Sequence, residues 1–281
     1  MKRIAIMMTA GALVLSFLFT GCQKNKGSGE SANAGGRNAP YTIEAGGSTS
    51  VTPLMELLAE AYQKIKSSIK ININGTGSGD GINNAGQSYQ IGMSSRELTP
   101  AEQGRGLNEV IIAIDRIAVI MNNSSPVTGL TVDQIRDIYT GTVTDWAQIT
   151  GGAKIGKIAV ISREEGSGTR GAFEELVGFQ GKLLQGANES TSTGAIKASV
   201  AGNIDAIGYI SLGSVDSTIK AIAVNGVEAN SANVVDGSYK IARPFILLTG
   251  SNVHPESTAF IDWILSPAGQ EIVEKSWIPV K

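Results

Sequence analysis

From Tyr41 onward the apolar positions switch repeatedly between the two periods that backbone geometry allows. YTIEAG, Tyr41 to Gly46, reads as a strand. Pro53 then stands at a first helical position, and Leu54, Leu57, Leu58, Ala61, Tyr62 and Ile65 recur at helical spacing. IKININ (Ile69 to Asn74) alternates as a strand does, GTGSGDG leads into a second helix, and YQIGMSS (Tyr89 to Ser95) is a third short strand. EVIIAIDRIAVIMN, Glu109 to Asn122, is β-branched and continuous, and long enough to carry the chain out of one sheet toward another.

A second region repeats the alternation. Thr131 is placed to cap a helix starting VDQI, KIAVISR is the next strand, and a helix from Gly194 to Ala201 leads into the strand AIGYIS. TIKAIAVN reads as one further strand, and PFILLTG, Pro244 to Gly250, is long enough to cross back. Two helices follow, separated by Ser266-Pro267. Strands alternating with helices specify α/β layers. The expected division is into two α/β lobes, residues 41–121 plus 244–281 and residues 122–243, with crossings near Met121 and near Arg243. No repeat of fixed period is visible.

The first forty residues belong to neither lobe. Lys2 and Arg3 precede an apolar run from Ile4 to Phe19, and small residues Thr20-Gly21 lead to Cys22. That is the pattern of a secretory signal, residues 1–21, with an apolar run short for a membrane span. Cys22 is the only cysteine, which excludes an intramolecular disulfide and a thiolate metal cluster. Thr-Gly-Cys resembles the bacterial lipobox, in which the cysteine is lipidated, although Phe19 stands where leucine is usual. Residues 22–40 are rich in Gly, Ser and Asn and read as a flexible tether.

Charge narrows the partners. With 23 Lys+Arg against 25 Asp+Glu the net charge is −2, which lacks the basic surface of a nucleic-acid binder. Any anion site must therefore be local. Three turns from strand to helix have the right chemistry: GGSTS (Gly46 to Ser50), GTGSGDG (Gly75 to Gly81) and EEGSGTR (Glu165 to Arg170), with MSSRE (Met93 to Glu97) a weaker fourth. The first N–H groups of a helix lack intrahelical partners and carry the positive end of its dipole. Small residues there let an anion approach, and hydroxyls add donors. One such turn is also explained as a plain cap; several in succession beside an arginine point to a ligand. Arg163 is the natural countercharge, able to hold a tetrahedral oxyanion in a fork, with Glu165 placed to orient it; the plain alternative is a surface strand-end residue paired with Glu164. Arg170, in the first turn of a helix, is expected to face solvent.

Other chemistry is excluded by what is missing. GTGSGDG breaks the dinucleotide pattern at Asp80, and neither a nucleotide P-loop nor a G-x-S-x-G elbow occurs. His254 is the single histidine, beside Pro255, and reads as structural. No zinc site and no cofactor is expected.

AGGSTS, GTGSGDGI, IGMSSREL, ISREEGSGTR and AIGYIS, following the lipobox in that order, resemble the substrate-binding protein family of the bacterial high-affinity phosphate ABC transporter, in its Gram-positive lipoprotein form. The resemblance covers Tyr41 to the C-terminus. It implies a type II-like, two-lobed periplasmic-binding-protein fold with two crossover strands, phosphate in the interlobe cleft and no catalysis. By matching motif, Ser48, Thr49 and Ser50 would bind phosphate from the first turn and Ser78 from the second. Arg163 would clamp it, with Ser167, Gly168 and Thr169 donating at a helix N-terminus. Ser95 stands where many members carry an aspartate that accepts the proton of hydrogen phosphate and so helps reject sulfate. The implied partners are inorganic phosphate, the permease subunits and the outer face of the cell membrane through Cys22, with a monomer the simplest state. Another tetrahedral oxyanion (sulfate, molybdate or tungstate) is the alternative cargo; a secreted phosphatase and a non-binding adhesin are the other classes.

Overall fold

The computed structural model describes residues 40–154 and 156–280. The expected leader, the Cys22 lipidation site and the tether through residue 39 lie outside the described residues. The first part of the chain alternates regularly: β1 (Tyr41–Gly47), α1 (Thr52–Ile65), β2 (Ile69–Gly75), α2 (Ser78–Asn84), β3 (Ile91–Ser94) and a single turn, α3 (Pro100–Gln103). β1 runs parallel to β2 on one side and to β3 on the other. α1 starts at a proline-bearing first turn and buries Leu54, Met55, Leu58, Ala59 and Tyr62. Each large apolar side chain so buried is worth about 1.5–3 kcal/mol. Leu57 and Ile65, expected on that face, are instead largely exposed. The buried stripe is turned toward Met55 and Ala59, because helical spacing alone leaves the centre of the face free by about one residue.

β4 (Asn108–Asn122) is the pivot of the architecture. Up to Arg116 it pairs antiparallel with β11, defined below, and from Ile117 to Met121 with the strand of AIGYIS. The strand does not leave one sheet for another. It belongs to a single nine-stranded sheet and serves both halves of it. Beyond it come β5 (Gly129–Leu130), α4 (Val132–Tyr139), α5 (Ala147–Thr150), β6 (Ala159–Arg163), α6 (Gly168–Val177), β7 (Asn188–Ser190), α7 (Thr193–Ala201) and β8 (Ala206–Ser211). β9 (Ile219–Ala221), β10 (Ala223–Val224), α8 (Ser231–Val235), β11 (Ala242–Thr249), α9 (Pro255–Ile264) and α10 (Pro267–Glu274) complete the described chain. The sheet order is β2-β1-β3-β11-β4-β8-β6-β7, with β9 also on β4, and β10 pairs separately with β5. TIKAIAVN is thus two strands. It breaks at Ile222, where the backbone passes from β4 to β5 as partner.

Each half of the sheet has its own core. Ile43, Leu54, Leu58, Ile91, Phe245, Phe260 and Trp277 form one cluster. Ile117, Ile135, Tyr139, Trp146, Phe173, Tyr209 and Ile241 form another, with a smaller group under α7 around Ile196 and Val200. The layers are mixed α/β, and β4 is shared by both halves of the sheet. No helix among the described residues is long and apolar enough to cross a membrane.

Candidate functional site

Parallel strands deliver their carboxyl ends to one edge of an open sheet, which is where such sheets bind ligands. Here β1, β2 and β3 from one half and β6 and β7 from the other end in turns of small residues that meet face to face. Gly47 makes the first turn possible. Its φ is +137°, and a side chain there would place Cβ 2.2 Å from the Met93 carbonyl oxygen. Gly77, at φ +101°, opens α2. Ser167 caps α6 by accepting from the Arg170 N–H at 3.3 Å. Ser192 caps α7 by accepting from Ala195 N at 3.1 Å.

The hydroxyls so delivered form two groups. In the first, Ser48 Oγ donates to Ser95 Oγ at 2.8 Å, and Ser78 Oγ lies 3.3 Å from Ser95 Oγ while accepting from Ser95 N at 3.1 Å. Gly168 closes over this group. A Cβ on it would fall 2.2 Å from Ser78 Oγ and 2.8 Å from Ser95 Oγ, so only glycine permits the approach. In the second, Ser50 Oγ and Thr169 Oγ1 are 2.7 Å apart, and Thr193 Oγ1 lies 3.3 Å from both Ser50 Oγ and Thr49 Oγ1. A backbone bond from Gly79 N to the Gly166 carbonyl, 3.0 Å, ties the two sides further. The structure therefore brings together Ser48, Thr49, Ser50, Ser78, Ser95, Arg163, Thr169 and Gly168, with Ser167 at the helix end beside them.

Arg163 is buried at the end of β6, its side chain 2% exposed. Nε and Nη2 form a fork on Glu164 at 2.8 and 2.7 Å, and Nη2 also donates to Thr49 Oγ1 at 3.0 Å. The orienting carboxylate is thus Glu164, and the expectation for Glu165 is corrected. β6 ends at Arg163, so the alternation that would return residue 165 to the same side ends with it. The chain turns there, Ser167 N bonding to the Glu164 carbonyl at 3.0 Å, and Glu165 is exposed. Arg170 is corrected too. It turns inward, donating to Glu174 at 2.7 Å, to Glu189 at 3.0 Å and to the Arg163 carbonyl at 2.9 Å. Tyr209 supports the same strand end from β8: its hydroxyl accepts from Arg163 N at 3.2 Å and pairs with Ser162 at 2.9 Å. Burial pushes its pKa up to about 12, and its ring stacks on Phe173 of α6 at 4.0 Å.

Thr193 was not among the expected residues. Its signal is present in STSTG, Ser190 to Gly194, a strand-to-helix turn with the same composition as the others. Starting the helix at Gly194 left it outside the reading. His254 has the structural place expected, stacked on Tyr41 at 3.9 Å and capping α9 through Nδ1.

Chemically this is a buried guanidinium, a set of hydroxyls and the N-termini of α2, α6 and α7 converging on one cleft, an arrangement that attracts a small oxyanion. None of these hydroxyls is hydrogen-bonded to an imidazole or a carboxylate. Among the described residues no group of His, Cys, Asp or Glu is arranged to hold a metal.

Residues 27–268 match the family model of the PBP superfamily domain. A Clostridium perfringens protein, solved with bound phosphate and described as a candidate phosphate ABC transporter substrate-binding protein, is 46% identical. Its structure superposes with a TM-score of 0.83 over 85% of this chain and 100% of its own. An ABC-type phosphate transport receptor from Vibrio cholerae superposes with a TM-score of 0.69 at 35% identity, covering 84% and 99% of the two chains. In sequence, the phosphate-binding protein PstS of Borreliella burgdorferi is 29% identical over 83% of this chain and 88% of its own.

Proposed function

The chain belongs to the PBP superfamily, and we propose that it is an extracytoplasmic solute-binding protein that captures inorganic phosphate and delivers it to an ABC transporter permease. One observation carries the reading: a buried arginine, Arg163, faces hydroxyls from both halves of the sheet across a glycine-lined cleft. The relatives named for phosphate binding support the choice of anion. Residues 41–121 with 244–281 act as one lobe and residues 122–243 as the other, a lipid on Cys22 holds the chain to the membrane, and the protein works as a monomer.

Phosphate entering the open cleft meets donors on both lobes, and binding to both favours closure about the crossover strands. Closure dries the site and strengthens each charge-assisted bond. Micromolar affinity corresponds to about −8 kcal/mol, within reach of several bonds of about 1.5–3 kcal/mol each after ordering costs. Ser48, Thr49, Ser50, Ser78, Ser95, Ser167, Gly168 and Thr169 supply those donors beside Arg163. With serine at position 95, the proton of hydrogen phosphate falls to a hydroxyl oxygen, which accepts as well as donates. The anion is carried rather than transformed, a reading supported by the relatives named for phosphate binding and transport.

Calorimetric titration of the full-length chain, stripped of endogenous ligand, tests this directly. Phosphate is expected to bind with micromolar affinity or better and sulfate at least about a thousandfold more weakly, about 4 kcal/mol. Equal binding of the two would reassign the cargo to oxyanions in general. Binding of neither would overturn the cradle itself.

A further inference from the structure

We infer that Thr193, outside every motif of the anion cradle, is a positioning residue that latches the closed cleft through a polarised chain of hydroxyls. The inference rests on the phosphate reading above.

Hydrogen-bond counting fixes the first link, and the direction of the rest of the chain is inferred from it. A threonine hydroxyl has one hydrogen to give and two lone pairs to receive with. Thr49 Oγ1 receives from two groups that can only donate, Arg163 Nη2 at 3.0 Å and the backbone N–H of Thr193 at 3.4 Å. Both lone pairs are then taken, and its hydrogen points at the remaining neighbour, Thr193 Oγ1, 3.3 Å away. Continued in the same sense, the chain passes from Thr193 Oγ1 to Ser50 Oγ, 3.3 Å away, and from Ser50 Oγ to Thr169 Oγ1, 2.7 Å away. Thr169 thereby keeps its own hydrogen for the anion. Each bond in such a chain polarises the next, so the charge of Arg163 is felt at the N-terminus of α6.

The order of residues is what makes the chain a latch. Arg163, Thr193 and Thr169 lie in the half carrying β6 and β7, whereas Thr49 and Ser50 lie in the turn between β1 and α1. Every link of the chain therefore spans the cleft. Thr193 makes the two middle links and adds a third contact through its N–H, one of the donors that a helix start leaves unpaired. It is buried, 6% exposed, and its contacts are with side chains of the cradle. A group that joins the lobes only after they have met acts on escape of the ligand and leaves capture alone.

The test compares the full-length wild-type chain with Thr193→Val, which keeps the shape and removes the hydroxyl, and with Thr193→Ser, which keeps the hydroxyl. Inorganic phosphate is the probe, followed by stopped-flow for its rates and by calorimetry for its affinity. Thr193→Val is expected to release phosphate about tenfold faster, about 1.4 kcal/mol, with association within about twofold and the ligand-free melting temperature unchanged. Thr193→Ser is expected to stay within about twofold of wild type in every quantity. If Thr193→Val proves unstable, Thr193→Ala carries the same expectation for release. Wild-type release from the hydroxyl-free variants, or equal loss in the serine variant, overturns the latch and leaves the phosphate reading standing. A wild-type chain that binds no phosphate overturns that reading first.

Discussion

Arg163 is a cation taken out of water, and its stability depends on what faces it. That partner is Glu164, held in a fork at 2.7 and 2.8 Å. Replacing Glu164 by Gln removes the countercharge. Because the glutamate is only partly buried, the expected loss is about 1–3 kcal/mol, read as a lower ligand-free melting temperature. Phosphate then supplies the missing negative charge, so the thermal shift it produces should grow relative to wild type. Glu165→Gln is the control, expected to change neither quantity, because Glu165 is exposed. If the two substitutions exchanged behaviour, the assignment of the orienting carboxylate would be wrong. Spacing along a strand favoured the wrong neighbour here. The choice between adjacent glutamates depends on where β6 stops, and that end is set by the turn that follows it.

Elements were legible wherever their ends are encoded by nearby residues. Thr131 caps α4 in a reciprocal box with Gln134, as the local sequence implies, and Ser266, at the Ser-Pro step expected to separate the last two helices, caps α10. α3 shows the same device with a consequence for pH. Thr99 and Glu102 form a capping box, and Glu102 also forks Arg96 at 2.7 and 2.8 Å, fastening the segment after β3. Arg96 first, and Thr99 after it, hold the Glu102 carboxyl down at about 2, against an ordinary value of 4.5. A carboxyl depressed by folding stabilises the fold fully above its unfolded pKa and loses that contribution as pH falls through the folded value. Glu102→Gln should therefore cost about 1–2 kcal/mol near neutral pH, allowing for solvent screening. The gap from wild type should close between pH 4.5 and about 2. Urea unfolding of both proteins across that range checks it; a gap independent of pH would refute it.

At the scale of the whole molecule, the long central strands β4 and β11 carry a buried charge pair. Asp115 on β4 stands opposite Arg243 on β11, with Nη2 and Nε of the arginine at 3.0 and 3.2 Å from its carboxylate. Ser211 at the end of β8 donates to the same carboxylate at 2.6 Å, and Trp277 donates to Ser211 at 3.4 Å. Burial pushes the Asp115 carboxyl up, with Arg243 opposing the shift. Removing one member strands the other charge in the interior. Asp115→Ala should cost about 3–5 kcal/mol, whereas Asp115→Leu combined with Arg243→Met should be near neutral or stabilising. Urea unfolding of the single and double variants decides this. A double variant as unstable as the single one would show that the strands need the charges themselves.

The sequence by itself determined the kind of site and the kind of fold. Period, caps and turn composition act over a few residues, so alternating strands and helices, the glycine and hydroxyl turns and the arginine at the end of β6 were all readable. Tertiary structure decided how those turns meet. Thr49 and Arg163 are 114 positions apart, Ser50 and Thr169 are 119, and Thr49 and Thr193 are 144. The inward turn of Arg170, the choice of Glu164 and the role of Thr193 all depend on such distant neighbours. So does the single sheet through β4, since a strand carries no local mark of which partner it will pair with. Local chemistry prepares each edge of the cleft; only the folding of one half against the other selects the residues that touch.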